Sequence, residues 1–230
     1  MRPFISFEGL DNCGKTTQIK LLTNHLDSTD VPYVLSREPG GTALGGTLRR
    51  VLKEPVVVYA TMNKTFTNNP DFQQLNVNQQ RTAEAEMLLF QASRAEYCQH
   101  VVKPALDEGK LFISDRFYDS TRAYQGGGRF HSDPNVINAI QRTSDFAVNG
   151  YHPSKTFLLA ISYEVMLERA GKSKLDFMER LGADFFQRVA AEYDAIAKIH
   201  SQRVVRIDGT LPPEEIFEEH IKPTIDQILM

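Results

Sequence analysis

Two patterns of apolar positions take turns along this 230-residue chain. Short β-prone runs such as Phe4-Ile5-Ser6-Phe7 give way to longer stretches in which apolar residues recur every three or four positions, as at Ile19, Leu22 and Leu26 between Thr17 and Leu26. Further strands are expected at Pro32 to Ser36, Lys110 to Ser114, Lys155 to Ala160 and Arg203 to Ile207. Helical spacing covers Leu44 to Leu52, Ala83 to Asp107, Pro134 to Ala147, Tyr163 to Ala170, Asp184 to His200 and Glu214 to Leu229. Asp133-Pro134 suits a helix start, Gly109 a helix end, and Pro104 either kinks the long helix or closes it. The alternation predicts an α/β fold, with a five-stranded parallel sheet flanked by helices on both faces and ligands gathered at the carboxyl ends of the strands.

The connection between the first strand and the first helix reads GLDNCGKT, Gly9 to Thr16, and fits the phosphate-loop pattern G-x-x-x-x-G-K-[ST] of the P-loop NTPase fold. Strand, glycine loop and helix follow in the order that phosphate binding needs. Gly9 and Gly14 permit backbone geometry that lets successive N–H groups turn inward, and the helix N-terminus adds partial positive charge. A nucleotide's phosphates are therefore expected along Gly9, Leu10, Asp11, Asn12, Cys13, Gly14, Lys15, Thr16 and Thr17. Lys15 would reach the β- and γ-phosphates, and Thr16 would offer its hydroxyl to Mg²⁺. Cys13, beside Lys15 and near a helix N-terminus, is expected to react with alkylating agents and so to block nucleotide binding.

Charge and composition narrow the picture. Lys plus Arg is 26 and Asp plus Glu is 29, a net charge of −3, which argues against a protein built to grip DNA or RNA. The two cysteines form neither a metal-ligand nor a disulfide pattern. No linker-like stretch divides the chain, so one domain is expected over 1–230. Met1-Arg2-Pro3 leads directly into the first strand and no apolar run approaches the roughly 18 residues of a membrane span, so a cytoplasmic protein is expected. Residues 55–80 break the alternation with Val56-Val57-Val58-Tyr59 and an Asn- and Gln-rich stretch, and read as an insertion: a surface hairpin, a flap or a subunit contact.

Four further constellations carry possible chemistry. Arg37-Glu38-Pro39-Gly40-Gly41-Thr42 begins where the second strand should deliver ligand contacts, although a plain turn would also explain it. Asp115-Arg116 closes the apolar third strand; the acid can hold Mg²⁺ and the guanidinium can clamp phosphate oxygens. Glu86, Phe90, Arg94 and Tyr97 share one helix face, which could either read a base or form a core phenylalanine beside a surface ion pair. Arg169, Lys172, Lys174 and Arg180 cluster in a segment of little apolar content at about 169–182, as a basic lid over a transferring phosphoryl group would.

Together FEGLDNCGKTTQ, SREPGGT, AEMLLFQASRAEY, SDRFYDSTRAYQGGGR and the stretch through ADFFQRV resemble thymidylate kinase of the bacterial type over essentially the whole chain. The resemblance implies transfer of the γ-phosphoryl group of ATP to the 5′-phosphate of dTMP. It implies further that Arg37 and Arg116 hold the acceptor phosphate, Asp11 faces the sugar, Phe90 stacks on thymine, Arg94 bonds its O4 and Thr121 its ring nitrogen, with Ser120 and Gln125 beside them. Tyr124 would lie beneath the deoxyribose, Asp115 would help order Mg²⁺, and the enzyme would be a homodimer. Asp11-Asn12-Cys13 holds no basic residue, so Lys172, Lys174 or Arg169 would have to supply the catalytic cation from the lid. A same-fold kinase for another deoxypyrimidine acceptor is the nearest alternative. A P-loop switch ATPase is the remoter one, since no residue stands out as positioned to orient water.

Overall fold

A computed structural model describes residues 3–53, 81–171 and 181–229. The proposed insertion at 55–80 lies wholly outside the described residues, as do Lys172, Lys174 and Arg180 of the proposed lid. Five strands, β1 (Phe4–Gly9), β2 (Tyr33–Arg37), β3 (Leu111–Asp115), β4 (Lys155–Ala160) and β5 (Val204–Asp208), form one parallel sheet in the order β2-β3-β1-β4-β5. The pairing register sets Phe7 beside Asp115 and Arg37 beside the same residue. The second and fifth strands run one residue further than their apolar pattern indicates, so Arg37 and Asp208 close their strands instead of opening the next loops, while Asp115 ends β3.

Alternation along the central strands sorts side chains by face. Ile5, Phe7, Leu111 and Ile113 join a large apolar cluster with Leu22 and Leu26 of α1 (Lys15–Ser28) and with Phe186, Val189 and Ile196. Phe4 and Phe112 instead join a smaller cluster with Tyr97, Val102, Leu106 and Phe117. Ser6 and Glu8 share the Phe4 face of β1, and there a polar seam runs through the interior. Ser6 Oγ and Thr156 Oγ1 lie 2.7 Å apart, and Arg203 donates to Thr156 Oγ1 at 2.6 Å and to both carboxylate oxygens of Asp119 at 2.6 and 2.9 Å.

The other helices are α2 (Ala43–Lys53), α3 (Ala83–Tyr97), α4 (Lys103–Asp107), α5 (Tyr118–Thr121), α6 (Pro134–Val148), α7 (Tyr163–Ala170), α8 (Ala183–Ile199), α9 (Pro213–Ile216) and α10 (Lys222–Leu229). The long helix expected over Ala83 to Asp107 is interrupted by a π turn, Cys98–Val102, which places Pro104 in the first turn of α4, where its missing N–H costs nothing. Asp133 caps α6 as expected, accepting from Asn135 N and Val136 N.

One helical stretch has no counterpart in the sequence reading. Residues 118–129 form α5 and a π turn, Arg122–Arg129. Ala123 through Gly128 are all buried, so no solvent-facing stripe marks the period, and three consecutive glycines argue against helix. The glycines are required by close approach: a Cβ on Gly127 would lie 2.7 Å from Glu192 Cβ and 3.0 Å from the Arg188 carbonyl of α8.

Candidate active site

The carboxyl ends of β1, β2 and β3 open into a cleft of about 480 Å³. Its floor is the phosphate loop. Lys15 is only 8% exposed and folds back over the loop, its Nζ donating to the Leu10 carbonyl at 2.9 Å and the Gly9 carbonyl at 3.4 Å. Gly9 has φ +133°, and a Cβ there would meet the Leu159 carbonyl oxygen at 2.4 Å, so a neighbouring strand excludes every other residue. Asp11 through Thr17 line the cleft; Gly9 and Leu10 do not, because the Leu10 side chain enters the core and the two residues border a second cavity behind the loop. Cys13 also corrects its expectation: at 1% exposure its thiol is packed beneath the loop, 3.6 Å from Lys15 Nζ, and is shielded from an alkylating agent.

Arg116 is the hub of the cleft. It follows β3 with φ +71°, a conformation held by Arg116 N donating to the Phe7 carbonyl at 2.9 Å and by Ser114 Oγ donating to the Arg116 carbonyl at 2.7 Å. Tyr97 stands behind Ser114, hydroxyl to hydroxyl at 2.9 Å. The guanidinium then reaches Asp11 Oδ1 at 2.8 Å, the Gly9 carbonyl at 2.8 Å, Ser120 Oγ at 3.1 Å and Tyr124 OH at 3.2 Å. One cation thus ties the phosphate loop to the opposite wall. Burial alone would raise the Asp11 carboxyl, but Arg116 and Lys15 outweigh it and hold it down at about 2.

Beneath Arg116 lies a carboxylate that spacing did not single out. Glu8 is fully buried and accepts from Phe117 N at 2.7 Å, Ser120 Oγ at 2.5 Å and Tyr193 OH at 2.9 Å. Burial, reinforced by the nearby Asp119 charge, pushes it up to about 7. Its only sequence signal is an acid ending an otherwise apolar central strand, the same signal that marks Asp115.

The far wall gathers the remaining expected residues. Half-buried Phe90 and buried Arg94, Thr121, Tyr124 and Gln125 all line the cleft, with exposed Arg37 at its rim. The Glu86–Arg94 surface pair left open by the helix spacing does not form, and both residues are buried. Arg94 is 2% exposed and donates through Nε to Glu38 Oε2 and through Nη1 to Gln91 Oε1, each at 2.8 Å. Burial raises Glu38 to about 7 against the pull of Arg94. Thr121 Oγ1, Glu38 Oε1 and Asp115 Oδ1 are buried with no hydrogen-bond partner, and all three residues line the cleft. Such atoms sit at the edge of a polar site that expects a guest. Arg49 and Lys53 of α2 also line it, unmarked beforehand because a cation on an amphipathic helix reads as solvated surface. Arg169 reaches the loop from α7, with Nη1 3.5 Å from the Asn12 carbonyl.

A phosphate loop at the carboxyl edge of a parallel sheet, facing a second wall with an aromatic plate and a buried arginine, is the arrangement of a P-loop phosphotransferase. The thymidylate kinase family model matches residues 7–70 and 71–220, and the chain belongs to that family. A protein named thymidylate kinase from Fervidobacterium nodosum is 37% identical over 219 residues, covering 95% of this chain and 96% of its own length. Those from Symbiobacterium thermophilum and Prosthecochloris aestuarii are 35% and 38% identical over 231 and 226 residues, covering 95% and 90% of their own lengths.

Proposed function

We propose that this cleft transfers the γ-phosphoryl group of ATP to the 5′-phosphate of dTMP, releasing dTDP and ADP. The observation that carries the reading is Arg116, which bonds both the phosphate loop at Asp11 and Gly9 and the acceptor wall at Ser120 and Tyr124. An acceptor phosphate is already an anionic nucleophile and needs no general base. An acceptor oxygen forms the new bond to the γ-phosphorus as the bond to the β,γ-bridging oxygen breaks, and ADP leaves with that electron pair. Catalysis then consists of bringing two anions together and neutralising the charge between them. Lys15 and Arg116 do so from opposite sides, Arg37 holds the acceptor at the rim, and Lys172, Lys174 or Arg169 supplies a further cation to the transferring group.

In this reading Asp11 to Thr17 hold ATP, Phe90 stacks on the base, and Arg94, Thr121 and Gln125 read its edge. Tyr124, bonded to Arg116 and to Asp11 Oδ2 at 3.3 Å, forms the floor under the sugar. Thr16 and Asp115 suit Mg²⁺, which favours few protein ligands and keeps water and phosphate oxygens for the rest. The unpartnered Asp115 Oδ1 on the cleft wall fits that role. The ion, when bound, would screen charge on the phosphates. The chain works as one domain with an insertion at 55–80 and a basic lid at about 169–182, in the cytoplasm and as a homodimer. Pairing is supported by exposed Leu44, Leu88 and Phe146 on α2, α3 and α6, of which α3 packs against each of the other two. Among the described residues no helix is long and apolar enough to cross a membrane.

The test is ADP release from Mg·ATP with dTMP, dUMP, dCMP, ribothymidine monophosphate and thymidine offered separately, beside a reaction without acceptor. Turnover confined mainly to dTMP is expected. Comparable turnover without acceptor, or a preference for thymidine, would refute the reading.

A further inference from the structure

The α3 face that carries Phe90 and Arg94 also carries a charged group with no task in the transfer. Glu86 is 1% exposed, and three side chains converge on it. Gln125 Nε2 donates to its Oε1 at 3.1 Å; Arg129 donates through Nε at 3.1 Å and Nη2 at 3.0 Å; Arg81 donates through Nε at 3.2 Å and Nη2 at 3.0 Å. Burial would raise the Glu86 carboxyl, but Arg129, Gln125 and Arg81 together bring it below its usual value, so it is ionised at neutral pH.

An ionised carboxylate only accepts hydrogen bonds, whereas a side-chain amide has a donor end and an acceptor end. Glu86 occupies the donor end of Gln125. The carbonyl Oε1 is therefore the end of this amide available to a ligand in the cleft that Gln125 lines. Across the same wall, Glu38 takes the Nε–H of Arg94 and Gln91 one Nη1–H, which leaves its remaining N–H groups as donors toward a guest. The wall thus offers one fixed acceptor and one fixed donor. Thr121 Oγ1, buried and without a partner, can donate or accept and so imposes no polarity.

Pyrimidine bases divide along the same line. A 4-keto pyrimidine presents an acceptor at position 4 and an N–H at position 3; a 4-amino pyrimidine presents the reverse. We propose that Glu86 is a positioning residue that sets the polarity of base reading, holding Gln125 so that its carbonyl, rather than the Thr121 hydroxyl, accepts the ring N–H and repels an unprotonated ring nitrogen. This inference rests on the reading that Gln125 and Arg94 face the acceptor base. A neutral amide at position 86 has both a donor and an acceptor end, so it would let Gln125 turn over.

The test measures kcat and KM for dTMP, dUMP and dCMP in the wild type and in Glu86→Gln, Glu86→Asp and Gln125→Leu. In Glu86→Gln the preference for dTMP over dCMP in kcat/KM is expected to fall at least about tenfold, mainly through KM. The dTMP to dUMP ratio should stay within about twofold, because both bases present the same edge. Glu86→Asp keeps an acceptor-only group and should retain most of the preference. Equal losses on all three acceptors, or Asp failing as badly as Gln, would make Glu86 a structural residue only and overturn the proposal. If Gln125→Leu leaves the acceptor ratios unchanged, the base-facing reading itself is wrong and the proposal goes with it. If Gln125→Leu collapses the preference while Glu86→Gln keeps it, that reading survives and the proposal is overturned. The double variant Glu86→Gln/Arg129→Gln removes one charge of each sign while Arg81 keeps its bonds to the Val51 and Leu52 carbonyls; where Glu86→Gln melts early, the same ratios read from this variant decide.

Discussion

Arg116 concentrates more of the cleft's geometry than any other side chain described, and its removal should be correspondingly costly. Arg116→Ala is expected to lower kcat by about 10²–10³-fold while leaving ATP binding measurable. Lys222→Ala, at an exposed cation paired with Glu218 on the C-terminal helices, should change it less than about twofold. Steady-state rates with saturating dTMP compare the two, and a near-normal Arg116→Ala rate would remove Arg116 from the chemistry. Buried carboxylates make a separate prediction about stability. Glu8 and Glu38 both rise from 4.5 to about 7 on folding, so the folded chain keeps protons that the unfolded chain releases. Their contribution is complete below about 4.5 and is lost as the pH climbs through 7. Asp11, lowered from 3.8 to about 2, has the opposite sign: its contribution is present above about 3.8 and disappears as the pH falls through 2. Urea unfolding between pH 5 and 8 should therefore show stability falling as pH rises, with a shallower slope in Glu8→Gln; an identical slope in both Glu8→Gln and Glu38→Gln would contradict these assignments.

At the scale of elements, the alternation of strands and helices was legible because parallel strands buried on both faces leave apolar runs, and flanking helices leave periodic ones. The placement of the phosphate loop and of Asp115-Arg116 in one cleft was legible for a related reason: residues adjacent in sequence at a strand end arrive there together. Glu8 with Ser120, Arg94 with Glu38 and Gln125 with Glu86 were not, because each pair is brought together from distant segments and no local period encodes the meeting. The glycine-rich helix at 118–129 was hidden by burial on all sides, and packing against α8 outweighs its poor propensity. That balance is testable. Gly127→Ala should destabilise by about 1–3 kcal/mol, since the new methyl meets Glu192 Cβ and the Arg188 carbonyl. In contrast, a Cβ at Gly46 within α2 would meet nothing within 4 Å, so Gly46→Ala should stabilise by about 0.4–1 kcal/mol. Thermal melting of the two variants side by side checks both signs.

For the whole molecule, a net charge of −3 conceals a cleft lined by seven cationic and three acidic side chains. A phosphorylated acceptor is drawn into such a cleft although the chain as a whole repels anions. The proposed pairing of two chains through the layer that carries Leu44, Leu88 and Phe146 makes a further prediction. Phe146, 88% exposed, is the most exposed of the large apolar residues described, and Phe146→Glu should shift the sedimenting species from twice the chain mass toward the single chain. A wild-type chain that sediments as a monomer at micromolar concentration would refute the pairing. The seam at Gly127 also has a meaning in the currency of genes. Every single-nucleotide change in a glycine codon that alters the amino acid yields a residue bearing a Cβ, or a stop. No one-step mutant can therefore keep the close approach of this helix to α8, and lineages adapting to a new acceptor or an inhibitor must travel through codons other than this one.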